Sequence, residues 1–271
     1  MAQIRHNKAP PPHGRFGRMM AGAAFVVSAV GWLIMNEQRR RARVAIITTL
    51  LRASPSTRAR MQRLWRWWQL NWRDPWGANR AHLVASAVGD VLEIGVGRWP
   101  NLRRYQSAER LVGIESNRRG VFLVRRRIRR FRPSAEIVYA APEQLPFPDA
   151  SFDVVVASLA LCTVRDPALA LREAVRVLRP TGTLRFLEHV HAPNPVVARL
   201  QSLYTPFWRL VADGCRLDRD TLTTIRAAGF TIETLEPIKA GWPLARPTYC
   251  GTARPPLHSA TSETPPQSED L

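Results

Sequence analysis

The sequence predicts an α/β protein built on a mostly parallel β-sheet with helices on both faces. Three observations carry this. From Asp90 onward, short β-rich apolar runs alternate with helical stretches. The runs are nearly all apolar, as strands covered on both faces are. The first of them, Val91-Leu92-Glu93-Ile94-Gly95-Val96-Gly97, ends in a carboxylate and a Gly-x-Gly turn. Such a turn gives a tight loop where missing side chains let a ligand approach the backbone.

Ahead of that domain the composition shifts twice. The 271-residue chain has room for one good-sized core with appendages. Its formal charge is +19, and with only Lys8 and Lys239 as lysines, 38 of the 40 basic residues are arginine. A charge of this size attracts anionic lipid or nucleic acid. Residues 1–18 read as a basic, flexible lead with a Pro10-Pro11-Pro12 run. From Met19 to Met35 there is no charge at all. As a helix, residues 19–35 would be roughly 25 Å long, a little short of a hydrocarbon core of about 30 Å. We expect a membrane-anchor helix, spanning with help from its flanks or lying in one leaflet. A cleaved signal peptide would need a small-residue site where Asn36-Glu37-Gln38-Arg39-Arg40-Arg41 stands, and a helix buried in a core would keep a polar face. Arg39, Arg40, Arg41 and Arg43 slightly outnumber the basic residues just upstream, which puts the following domain on the cytoplasmic side. Residues 36–80 then form a basic, Trp-rich linker. Within it Met61, Leu64, Trp65, Trp68 and Trp72 recur at three- and four-residue intervals, one apolar helical face among arginines. That face suits the headgroup layer of a membrane, or equally a lid packed on the next domain.

The domain itself is expected over residues 81–253. After the first strand, residues 111–115 make a second, and Val121, Val124, Ile128 and Phe131 mark one face of the helix that follows. Arginines around that face read as a solvated surface; nucleic acid is not expected as a partner without aromatic platforms for stacking. Residues 137–140 and 152–158 are the third and fourth strands. A helix over 166–178 turns Leu171, Ala174, Val175 and Leu178 inward, and residues 183–188 are the fifth strand. Val196, Leu200, Leu203, Phe207 and Val211 then make a long apolar helical face interrupted by Pro206. Ile225, Gly229 and Phe230 close a last helix, residues 231–235 and 248–252 supply a final strand pair, and residues 254–271 are a polar, Pro-rich tail expected to be disordered. Cys162, Cys215 and Cys250 are odd in number and widely spaced, so neither a disulfide framework nor a metal site is expected. Cys162 and Cys215 read as small buried hydrophobes.

Glu115 is the most useful chemical clue. It closes the second strand about 20 residues after the glycine loop, where a carboxylate accepts hydrogen bonds from both ribose hydroxyls of an adenosine. The loop lacks the third glycine that lets a pyrophosphate rest on a helix start, and Pro100 stands there instead. A nucleoside without phosphates is therefore the better match.

The chain resembles the class I S-adenosylmethionine-dependent methyltransferases through Val91–Gly97, Gly113-Ile114-Glu115, the stretch from Pro142 to Val155, and the stretch from Arg172 to Gly182. A narrower resemblance, to the membrane-anchored thiol S-methyltransferases of the methyltransferase-like group, rests on Leu159–Val164, Leu187-Glu188-His189-Val190, Pro206–Leu217 and Trp242–Pro247. The likeness implies a Rossmann-like sheet of seven mostly parallel strands, with S-adenosylmethionine as cofactor. It implies that Glu93, Gly95, Val96 and Gly97 cradle the methionine part and that Glu115, with Ser116 beside it, holds the ribose. Ala141, Pro142 and Glu143 would border the adenine, and Ser158 and Leu159 the rim beside the methyl group. Two departures stand out: Trp99 takes the place of the family's last motif glycine, and the ribose acid is Glu rather than the commoner Asp.

Methyl transfer from a sulfonium is a direct displacement that needs alignment and a deprotonated nucleophile. A thiol of pKa about 8.5 is partly ionised near neutrality, so a dedicated base is not compulsory. If a base acts, His189 is the first candidate and Asp213 the second; His189 is equally readable as a structural histidine bonded to backbone. The acceptor is expected to be a small apolar molecule, a thiol first and a lipid or quinone-like phenol next. The reading from another class is a catalytically silent scaffold whose arginines dock on anionic membrane or RNA.

Overall fold

The chain enters the described structure through helix α1 (Gly77–Ala85) and lays down β1 (Val88–Ile94), β2 (Ser107–Glu115), α2 (Arg118–Phe131), β3 (Glu136–Tyr139) and β4 (Phe152–Ser158). It continues with α3 (Pro167–Val177), β5 (Leu178–His189), α4 (Pro195–Val211), α5 (Thr221–Ala227), β6 (Thr231–Ile238) and β7 (Thr248–Arg254). This computed structural model describes residues 56, 59, 60, 74–239, 245 and 247–256, all within the compact unit running from Pro55 to Leu271. The basic lead, the apolar run 19–35, the whole of the Trp-rich face and the tail beyond residue 256 lie outside the described residues. Among the described residues no helix is long and apolar enough to cross a membrane.

The strands form one seven-stranded sheet in the order β3-β2-β1-β4-β5-β7-β6. Strands β1 to β5 run parallel, and β7 lies antiparallel between β5 and β6. Both faces are covered, which is why the strands read as apolar throughout. On one face Leu92, Ile94, Val112 and Ile114 pack with Ala170, Leu171 and Ala174 of α3 and Ile225 of α5. On the other, Val91, Leu111, Val154 and Val156 pack with Leu83 and Val84 of α1 and Val124 and Ile128 of α2.

Local chemistry sets where the helices begin. The side chains of Asn117, Asp166 and Asn194 each accept from two backbone N–H groups of the turn that follows, capping α2, α3 and α4, and the latter two are followed by proline at the first helical turn. Three apolar expectations change. Phe131 is 38% exposed rather than inward, and its ring is flanked by the guanidinium groups of Arg103, Arg127 and Arg130. Helix α3 ends at Val177, so Leu178 opens β5 and pairs with Phe152, and the inward face is Ala170, Leu171, Ala174 and Val177.

The third concerns α4. Its buried residues are Ala198, Gln201, Thr205 and Trp208, whereas Val196 is exposed and Leu200, Leu203 and Phe207 are half-buried. Hydrogen bonding explains the inversion. Gln201 Oε1 accepts from Ala192 N (2.7 Å), its amide donates to Val190 O (3.2 Å), and Thr205 Oγ1 accepts from Leu217 N (3.3 Å). These polar side chains face inward because buried backbone groups around them need partners.

Candidate active site

β1 pairs with β2 on one side and with β4 on the other, so the loops leaving β1 and its neighbours diverge at the carboxyl edge of the sheet. Ligands of such sheets sit in this crevice. Gly95 and Gly97 both have positive φ there, 64° and 55°. A Cβ on Gly95 would come within 2.9 Å of Ala160 Cβ, so glycine is what lets the loops after β1 and β4 close together. At Gly97 a Cβ would meet nothing within 4 Å of the structure, so this stretch of backbone borders open space. Val96 between them points into the core and gives its N–H to Ile114 O (3.0 Å).

Glu115, the last residue of β2, turns back over this loop. Its Oε2 accepts from Gly97 N (2.8 Å) and its Oε1 from Asn117 N (2.7 Å). A carboxylate has about four acceptor positions, so about two stay available to a ligand. Burial lifts its pKa above the usual carboxylate range; the backbone N–H groups oppose this and the negative charge of Asp213 adds to it. Ser116 beside it is exposed.

Glu93 departs from its expected role. Instead of facing the crevice, its buried carboxylate accepts from Trp99 Nε1 (2.8 Å), Tyr105 OH (2.6 Å) and Asn101 Nδ2 (2.8 Å). Burial raises its pKa, against those three hydrogen bonds. The carboxylate therefore ties down the stretch after the glycine loop and acts on the loop's shape. Trp99 is fully buried at φ 51°, its indole lying where a Cβ on Gly113 would be, within 2.7 Å. Since Gly113 is two residues inside the end of β2, the ring packs against the sheet beneath the loop, leaving the open face of Gly97 uncovered.

On the far side of the crevice Ala141 is exposed, Pro142 is buried, and Glu143 accepts from Asp166 N (3.0 Å), joining the loop after β3 to the cap of α3. Ser158 is buried and its hydroxyl accepts from Arg80 of α1. Arg80 also pairs with Asp74 (3.4 Å), and burial lowers its pKa. Leu159 takes a positive φ of 56°, with its N–H on Leu187 O (2.7 Å). The next three N–H groups, of Ala160, Leu161 and Cys162, all donate to the fully buried carboxylate of Glu188 at 2.8, 2.8 and 3.1 Å. Glu188 thus fixes the whole turn after β4.

His189 and Asp213, the candidate bases, sit in unlike surroundings. Asp213 is exposed, with positive φ (50°), in the turn after α4. His189 is buried; its carbonyl accepts from Thr221 Oγ1 (3.1 Å), but its ring has no backbone partner among the described residues. Its Nδ1 lies 3.4 Å from Cys215 Sγ, and Cys215 Sγ lies 3.5 Å from Cys162 Sγ. The close contact between the two sulfurs holds the Cys215 thiol well below its ordinary range, against its burial and with His189 and Trp208 adding to the effect, and raises that of Cys162.

Residues 92–186 match the family model described as a methyltransferase domain. The chain is 34% identical to the human thiol S-methyltransferase TMT1A over 169 residues, covering 60% of this chain and 69% of that protein. The chain belongs to the S-adenosylmethionine-dependent methyltransferases. Against rat thiol S-methyltransferase TMT1B this methyltransferase is 35% identical over 54% of its own length and 62% of the relative's. It is also 31% identical to the ubiquinone/menaquinone biosynthesis C-methyltransferase UbiE of Dinoroseobacter shibae, over 54% of this chain and 56% of that one. Among solved structures, an S-adenosylmethionine-dependent methyltransferase from Mesorhizobium loti overlays with a TM-score of 0.50 at 20% identity, covering 65% of this chain and 96% of that one. The [4+2]-cyclase SpnF overlays at 0.52 with 22% identity, over 67% and 80%. At those identities the overlays show the fold alone.

Members of this family use S-adenosylmethionine as methyl donor. The open backbone at Gly97 and the spare acceptor positions of Glu115 fit the methionine and ribose parts of such a ligand. Sequence reading missed Asn101 and Tyr105 as partners of Glu93, Arg80 as partner of Ser158, and the role of Glu188. For Glu188 a signal existed, a charge at the end of an otherwise apolar strand. Cys162 and Cys215 are 53 residues apart, and no spacing rule brings them together.

Proposed function

We propose that this methyltransferase transfers a methyl group from S-adenosylmethionine to the sulfur of a small apolar thiol, at a membrane. What carries the acceptor reading is the 34% identity to thiol S-methyltransferase TMT1A over 169 residues. Bound S-adenosylmethionine supplies an electrophilic methyl on a positively charged sulfonium with a good leaving group. The chain's own residues do the rest. Gly95 and Gly97 border the methionine part, Glu115 accepts from the ribose hydroxyls, and Ala141, Pro142 and Glu143 border the adenine.

Glu188 holds Ala160, Leu161 and Cys162 in one arrangement, so that Ser158 and Leu159 meet donor and acceptor in fixed positions. Positioning of this kind is worth on the order of 7 to 11 kcal/mol of a displacement barrier. Where a proton must be removed from the acceptor, the exposed Asp213 takes it, because His189 is enclosed with two cysteines. The membrane part of the proposal rests on residues 19–35, the Trp-rich segment 58–80 and the half-buried apolar side of α4, with the catalytic domain on the cytoplasmic side.

A second acceptor class, a quinone-like phenol or its ring carbon, draws on the likeness to UbiE. A panel of alkyl thiols, phenols and quinols offered with methyl-labelled donor separates the two. Label on sulfur supports the proposal; label on ring carbon or phenolic oxygen alone overturns it.

A further inference from the structure

At the carboxyl ends of β4 and β5, Cys162, His189 and Cys215 come from three separate segments and converge inside the protein. One ligand atom from each lies within 4.8 Å of the other two, and all three residues are at least nine-tenths buried. Cys162 follows β4, His189 ends β5, and Cys215 follows α4. Around them pack Trp208, Ala212, Leu217 and Ala245, and the rings of Trp76 and His189 meet nearly perpendicular with centroids 5.7 Å apart.

We propose that Cys162, His189 and Cys215 form a zinc site, with two thiolates and one imidazole as ligands. Three features of the geometry point to it. First, the spacing suits a tetrahedral ion. Bonds of about 2.3 Å to sulfur and 2.0–2.1 Å to nitrogen put neighbouring sulfurs about 3.8 Å apart and sulfur and nitrogen about 3.6 Å apart. Two of the three edges, 3.5 Å between the sulfurs and 3.4 Å between Cys215 Sγ and His189 Nδ1, are within a few tenths of an ångström of those values, and the third lies within 4.8 Å. Second, a histidine kept for structure alone satisfies its ring nitrogens with ordinary hydrogen bonds. Here Nδ1 faces sulfur instead of an oxygen acceptor. Third, the donor set is selective. Thiolate and imidazole suit zinc, whereas magnesium and calcium want oxygen.

A disulfide between Cys162 and Cys215 fits less well. It needs the sulfurs to approach to about 2.05 Å and gives the imidazole nothing to bind. The turn carrying Cys162 is already held by Glu188, so that ligand is positioned before any ion arrives. On binding, each cysteine releases its proton to solvent and His189 binds neutral, so two negative thiolates balance the ion's two positive charges. Three protein ligands leave the fourth tetrahedral position to water or another exchangeable ligand, as in catalytic rather than closed structural zinc sites.

The test uses the full chain stripped with a chelator under reducing conditions, then titrated with zinc alone and, separately, with cobalt(II) as a spectroscopic stand-in. The proposal expects one equivalent of zinc per chain, protons released on binding, and a thiolate-to-cobalt charge-transfer band with tetrahedral ligand-field intensity. Cys162→Ser and Cys215→Ser should each weaken zinc binding at least about tenfold, roughly the least that losing a direct ligand would cost. Absence of a thiolate–cobalt band in folded wild-type protein would overturn it, as would a mass two daltons lower showing that both cysteines are oxidised together on purification. None of these readouts involves methyl transfer, so the proposal and the acceptor assignment fail separately.

Discussion

Glu115 accepts a 2.8 Å hydrogen bond from the N–H of Gly97, tying the end of β2 to the glycine loop that leaves β1. The two groups expected to hold different parts of the cofactor are therefore one mechanical unit. Displacing either one moves the other.

The open face at Gly97 gives the first prediction. Gly97→Val puts side-chain atoms into that space and a β-branched residue at a φ of 55°. S-adenosylmethionine affinity should fall at least about tenfold. The fold itself should lose only about 1–2 kcal/mol, the cost of left-handed backbone. Calorimetric titration beside thermal melting checks this, and equal affinity in the variant would place the cofactor elsewhere.

Trp99 and Gly113 should be energetically coupled. A Cβ on Gly113 would lie 2.7 Å from the indole, so Gly113→Ala should destabilise by about 1–3 kcal/mol, the usual cost of overpacking. Removing the ring in a Trp99→Ala background should make the added methyl nearly harmless. A double-mutant cycle by denaturant unfolding measures the coupling, and strictly additive effects would mean the ring is not seated on that glycine.

Glu188→Gln presents an amide N–H₂ to some of the three N–H groups the carboxylate now accepts. Leaving a buried donor unsatisfied costs about 1–3 kcal/mol. Amide exchange at Ala160, Leu161 and Cys162 should speed up in the variant while the strand interior of β1 stays protected. Unchanged exchange at those three amides would refute the pinning role.

Because burial raises the pKa of Glu115, its ionised form is lost on acidification at a higher pH than for an ordinary glutamate. The ribose hydroxyls are donors and favour the carboxylate, so cofactor affinity should decline as pH falls through that raised pKa. A Glu115→Gln variant should bind more weakly at neutral pH and show a flatter profile below it. The affinity's pH dependence, measured by equilibrium titration of both proteins, distinguishes this from general acid unfolding.

The sheet was legible because strands buried on both faces leave apolar runs, and because glycines and a carboxylate at strand ends mark the crevice. The side of α4 that faces inward was not. Gln201 and Thr205 are polar, and only the fold reveals that buried backbone groups after β5 and α4 need them. The apolar run locates Glu93 at the end of β1, but its three donors, Trp99, Asn101 and Tyr105, lie in a loop whose path periodicity does not encode. Likewise the two cysteines and His189 meet only once β4, β5 and α4 are assembled.

In the proposed complex an adenosine-bearing donor is held between the loop after β1 and the acid closing β2. Titration of S-adenosylmethionine into wild-type protein and Glu115→Ala tests it most directly. Saturable binding at one site should be weakened by roughly 1.5 to 3 kcal/mol in the variant, the worth of hydrogen bonds to a charged acceptor. Equal affinity in the two proteins, or no binding by folded wild type, would contradict it.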